Sequence, residues 1–128
     1  LSMSEIWERL QRVKHLRLHT KELDGTASVR VEQPAPFCLL FHESGSWETG
    51  IAFTNLYRWT RFKEGVSLHH LRRGKAVLLF HFIDNVSVPH FCGKDCYTAG
   101  LSCSPEGILL SWQVKGPKKD TWGEYLYT

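Results

Sequence analysis

The stretch PHFCGKDCYTAG, residues 89–100, sets one histidine, two cysteines and one aspartate within seven positions. Three chemistries compete for it. His90, Cys92 and Cys96 are metal-ligand types, and the three residues between the cysteines fall within the spacing zinc sites tolerate. A structural zinc site usually draws on a second cysteine pair, however, and none is present. His90, Asp95 and Tyr97 form an acid–base set, with Cys92 as a nucleophile if a neighbouring cation holds its thiolate. The plainest reading is a turn in which Asp95 binds backbone amides and Cys92 packs. Haem, with His70 or His90 as axial ligand, is a further option without an attachment sequence. The reading that weighs most for this stretch is no metal, no assigned cofactor and no established catalysis.

A second group of polar residues lies within strand-like runs. In NLYRWTRF, Tyr57 and Trp59 share one face, and Leu56, Arg58 and Thr60 the other. In VSLHHLRR, Leu68, His70 and Arg72 share a face, and ILLSWQV turns Leu110, Trp112 and Val114 together. If the faces carrying Leu56 and Leu68 are internal, Arg58, His70 and Arg72 come inside with them. A buried arginine needs a carboxylate or an anionic ligand. Tyr97 and Lys119 are further donors, while Tyr57, Trp59 and Trp112 are wall or core. A protonated histidine in such a pocket would favour neutral-to-acidic binding. In GPKKD, Lys118 reads as an exposed turn residue; Lys119 and Asp120 are open to a role at a pocket mouth.

These residues need a scaffold. The start, SEIWERLQRV, carries Ile6, Leu10 and Val13 on one stripe behind Ser4, which predicts a helix over residues 4–14. From residue 15 the period is two. DG at 24–25 predicts a hairpin turn, and Pro34 and Pro36 end the second strand. KEG, RGK and SPEG separate further runs, giving nine or ten strands joined by tight turns. One short helix cannot cover the edges of so large an open sheet, and closure removes them. The expected fold is all-β: an up-and-down antiparallel barrel, calycin- or lipocalin-like, with an N-terminal helix, in one domain over residues 1–128. A Greek-key sandwich is the alternative.

The ordered blocks YRWTRF, LHHLRRG, LLFHF, PHFCGKDCY, LSW and VKGPKKD resemble the family of domain of unknown function 6314 over nearly the whole chain. The resemblance implies no activity, so it carries no catalytic role to any position; Cys96 lies outside the family pattern. Similarity to calycin barrels implies a ligand cavity by analogy.

Composition bounds the rest. With 42% hydrophobic residues and a net charge of +3 in 128 residues, the chain has enough apolar material for one core, without the basic stripe of a nucleic-acid binder. No run is long enough for a membrane helix, and the start lacks the apolar stretch of a secretory signal. Four cysteines without an export signal suggest free thiols in the cytoplasm. The expected partner is a small, anionic or amphipathic molecule; a protein-interaction module is the remaining class. Oligomeric state is not legible.

Overall fold

The computed structural model describes residues 2–128. One helix, α1 (Met3–Leu10), precedes eleven strands: β1 (His15–Thr20), β2 (Asp24–Ala35), β3 (Cys38–Trp47), β4 (Ala52–Arg61), β5 (Gly65–Arg72), β6 (Lys75–Ile83), β7 (Val86–Ser87), β8 (His90–Cys92), β9 (Asp95–Cys103), β10 (Ile108–Lys115) and β11 (Asp120–Tyr127). Every pairing is antiparallel, and β10 pairs with both β11 and β9, so ten strands close a ring. The eleventh, β8, pairs only with β9. Closure satisfies the backbone groups that an open meander would leave as edges.

Alternation decides what lies inside. Leu16 and Leu18, Ala27 and Val29, Leu39 and Phe41, and Phe80 and Phe82 are all buried. Trp59 is wholly buried and packs against Phe41, Tyr127 and Phe82 at ring separations of 5.9, 6.3 and 6.5 Å. The helix plugs one end of this core with Ile6, Trp7 and Leu10. Arg9 donates to the Ser104 carbonyl at 3.0 Å, which fixes the helix to the β9–β10 turn.

Several boundaries differ from the expectation. The helix ends at Leu10, not near residue 14, and Ser2 caps it by accepting from the Glu5 amide at 3.2 Å. Ser4 instead accepts from Arg61 at 2.9 Å. Asp24 and Gly25 do not form the first hairpin turn; they begin β2, opposite His19 and Leu18. The turn is closed by Thr20, whose hydroxyl donates to the Leu23 carbonyl at 2.6 Å. Gly25 is a glycine because the Trp47 ring lies where its side chain would stand, 2.9 Å from a Cβ placed there. Pro34 lies within β2, inside the register irregularity between Glu32 and Ala35. SGSWETG splits, its first four residues extending β3 and the rest turning.

Antiparallel alternation puts the β5–β6, β8–β9 and β10–β11 turns at the end away from the helix. Arg73 and Gly74 both take positive φ, 53° and 73°, the geometry of a tight two-residue hairpin. Among the described residues no helix is long and apolar enough to cross a membrane.

Candidate functional site

At that open end the barrel encloses a cavity of about 220 Å³, room for about seven waters at ~30 Å³ each. Its apolar floor is Leu68, Phe80 and Leu110, and its walls are largely aromatic: Tyr57, Tyr97, Trp112, Tyr125 and Tyr127. His70, Lys119 and Thr121 supply polar groups. Leu79 reaches it through a break in strand pairing. The β5–β6 register shifts between Leu68 and His69, Leu68 facing Phe80 and His69 facing Leu78, so Leu79 has no partner and turns to the cavity.

Gly123 lies opposite Trp112 in the β10–β11 ladder, and a Cβ there would meet the Trp112 ring at 2.5 Å. The missing side chain lets the indole lie across β11 and form the cavity wall. The ring packs edge-on against Tyr125 at 5.9 Å.

His70 stacks on Tyr57, with centroids 4.7 Å apart and planes 25° from parallel. Burial lowers its pKa, and the Arg72 charge lowers it further. His70 is therefore a neutral imidazole near pH 7, and the positive charge here comes from lysine and arginine. Lys119 Nζ lies 5.9 Å from the centre of the Tyr97 ring. The basic turns HLRRGK and VKGPKKD, far apart in sequence, both sit at this end of the barrel.

The structure divides the residues expected from sequence. His70, Tyr97 and Lys119 come together on the cavity, and Arg72 stands beside it, acting electrostatically on both Tyr57 and His70. Arg58 does not join them. Trp59 and Tyr57 take the inward positions of β4, which turns Arg58 and Leu56 to the outer face. Of the two faces that the sequence left open, only the one bearing Leu68 is internal. Two large aromatic rings outweigh one leucine, and an unpaired guanidinium would be costly inside.

The β8–β9 hairpin pairs His90 with Tyr97 and Cys92 with Asp95, so these four share one face. The His90 and Tyr97 rings lie 6.0 Å apart. Cys96 pairs with Phe91 and projects from the opposite face, away from Cys92. His90, Cys92 and Cys96 thus do not converge, and among the described residues no three histidine, cysteine or acidic side chains stand close enough to hold a metal. No pair among the four cysteines is bonded.

Sequence reasoning missed Glu43. It ends the run FCLLFHE and reads as the polar end of a strand, yet the strand continues to Trp47 and Glu43 shares the inward parity of Leu39 and Phe41. That parity was the available signal. The residue is 2% exposed, and one carboxyl oxygen, Oε2, has no hydrogen-bond partner among the described residues. The Tyr127 hydroxyl hydrogen-bonds the carboxyl. Burial lifts the Glu43 pKa to about 8, partly offset by that bond. Three of the four tyrosines that line the cavity feel it in turn. Burial and then Glu43 push Tyr125 up to about 12, and the same two causes raise Tyr57 and Tyr127. At neutral pH the cluster is a protonated acid among phenols.

A second hollow, more open, runs along β2–β5, where Ser28, His42, Glu43, Thr54, His70 and Arg72 are among its lining residues. It is wider than the cavity but lacks enclosing walls, and a small ligand gains more from burial than from area.

No curated protein and no solved structure matches the chain. Over residues 4–128 it matches the family of unknown function DUF6314, and the protein belongs to that family.

Proposed function

We propose that the barrel binds a small amphipathic anion about the size of a single ring with one charged substituent. The observation that carries this reading is the cavity itself: aromatic and aliphatic walls with Lys119, His70 and Tyr97 gathered on it. The walls desolvate the ring, at roughly 25 cal/mol per Å² of apolar surface buried. The Lys119 ammonium meets the anionic group, the neutral His70 imidazole and the Tyr97 hydroxyl hydrogen-bond it, and Arg72 adds positive field. Arg58, on the outer face, has no part in it.

Calorimetric titration with 4-ethylbenzoate, against 4-ethylbenzyl alcohol as the uncharged control, tests this. The acid binds more tightly than the alcohol, and Lys119→Met weakens the acid at least tenfold while leaving the alcohol unchanged. Equal affinity of both variants for the acid would overturn the assignment.

A second reading rests on the β8–β9 hairpin, where His90, Cys92, Asp95 and Tyr97 share a face and Tyr97 reaches the cavity. There the barrel is an enzyme, with Cys92 as nucleophile and His90 as its base. Loss of turnover in Cys92→Ser or His90→Ala with ligand affinity intact would support it; unchanged turnover would end it.

A further inference from the structure

The barrel wall does not close along its whole height. Between β6 and β9 it rests on the two residues of β7, where Ser87 pairs with Phe82 and Val86 pairs with both Ile83 and Gly100. The Ser87 hydroxyl accepts from the Ala99 amide at 2.6 Å, and the Val88 amide donates to the His81 carbonyl of β6 at 2.8 Å. Pro89 comes next and has no N–H to continue that ladder. From Val86 to His90 the chain advances four residues while β9, from Gly100 to Tyr97, advances three. The strand therefore bulges before His90, and β8 leaves β6 to follow β9. Towards the open end the wall is a fork: among the described residues, Lys75–Phe80 of β6 pairs only with β5, and β8 only with β9.

Such an edge is unpaired backbone about 20 Å long, at ~3.4 Å for each residue. Of the eight large apolar side chains left exposed among the described residues, five lie on the strands and link that form the fork: Val77, Ile83, Val86, Val88 and Phe91. Its open end is basic, with Arg72, Arg73 and Lys75 at the β5–β6 turn and Lys94 at the β8–β9 turn. The one acid of those two turns, Asp95, lies against Gly116 of the β10–β11 turn, on the side of β9 turned to β10.

We propose that the fork takes an extended peptide, which adds to the free edge of β6 as a further strand. Like every other neighbour in the barrel it runs antiparallel to β6. Because β6 starts at the open end, the C-terminal end of the peptide meets the basic turns. The peptide thus carries apolar residues at alternate positions, against Val88 and Phe91, and acidic residues at its C-terminal end. This surface is separate from the anion reading of the cavity and stands or falls without it.

The test is fluorescence anisotropy of a labelled peptide, Thr-Val-Thr-Val-Thr-Val-Glu-Glu, titrated with the full chain. Two further forms are methylated on alternate amide nitrogens, one along each edge of the peptide strand, and a third has the sequence reversed. The parent peptide binds, and methylation of at least one edge weakens it by about tenfold or more, because the backbone donors are lost. The reversed peptide binds more weakly, its acids being at the wrong end. Lys75→Glu combined with Lys94→Glu, both on exposed turns, weakens the parent by about tenfold or more. In the complex the amides of Lys75–Phe80 gain protection from hydrogen exchange. No binding of the parent at millimolar protein overturns the proposal, as do methylated forms that both bind like the parent. So does a charge-reversed variant that keeps full affinity. If the peptide-free protein is a dimer that Phe91→Asp dissociates, the edge belongs to a second copy and the proposal falls. None of these results alters the expected binding of 4-ethylbenzoate.

Discussion

Glu43→Gln is the substitution whose effect on stability follows most directly from the structure. In the unfolded chain Glu43 titrates near 4.5, and in the barrel burial lifts it to about 8. Between those values the folded protein holds a proton that the unfolded chain has lost, so folding stability falls as pH rises. The stabilising contribution is fully present below about pH 4.5 and is lost as pH climbs through about 8. At about 1.4 kcal/mol per pKa unit, the loss is of the order of 5 kcal/mol, comparable with the whole stability of a small domain. Glutamine keeps the shape and carries no proton to lose, while its amide nitrogen costs about 1 kcal/mol where it finds no acceptor. Urea unfolding of both proteins at pH 5, 6.5, 8 and 9 measures the difference. The variant is slightly less stable at pH 5 and more stable at pH 9, so the two curves cross. His69 and His70, whose pKa values are lowered, make stability rise with pH below 6.5, but this applies equally to both proteins and cancels in the comparison. A difference that stays constant across the range would refute the buried, protonated acid.

Other substitutions probe the packing that shapes the cavity. Gly123→Ala places a methyl against the Trp112 ring and forces the indole into the cavity, which costs about 1–3 kcal/mol and lowers 4-ethylbenzoate affinity; urea unfolding and calorimetry read the two effects. Trp59→Ala removes the largest fully buried side chain and costs about 3–5 kcal/mol by urea unfolding. Hydrogen exchange should be fast over residues 86–92. There β7 and β8 are short, Phe91 is 64% exposed and β8 has one ladder partner, whereas β3 is paired along both edges and exchanges slowly. Protection in β8 equal to that in β3 would contradict this.

The barrel was legible because its information is local. Period-two alternation, glycine-bearing turns and a single helical stripe each follow from neighbouring residues, and a chain of many strands with almost no helix must close to hide its edges. The first hairpin misled because Asp-Gly has the right turn chemistry but Gly25 is needed for Trp47, a contact between residues 22 positions apart. β4 was ambiguous because both of its faces carry apolar residues; only the packing of Trp59 against Phe41 and Tyr127 selects one. Cys92 and Cys96 looked like a pair by count. The turn at Gly93–Lys94 sets them on successive strands with opposite parity, which spacing alone does not reveal. Glu43 shows the general difficulty. Its parity marked it as inward, but a lone acid in an apolar run reads as a strand end until Tyr57 of the neighbouring strand and Tyr125 and Tyr127 of distant β11 are seen to feel its charge. Lys119, His70 and Tyr97 were named from sequence, yet the cavity that gathers them depends on an unpaired Leu79 and a missing side chain at Gly123.

The most direct test of a ligand cavity at the open end is to follow backbone and side-chain resonances by NMR as 4-ethylbenzoate is added. The account predicts shifts concentrated on His70, Tyr97, Trp112, Lys119 and Thr121, with nuclear Overhauser contacts from the ring to Leu68 and Leu110. Shifts confined to the outer faces of the strands, or none at saturating acid, would contradict it.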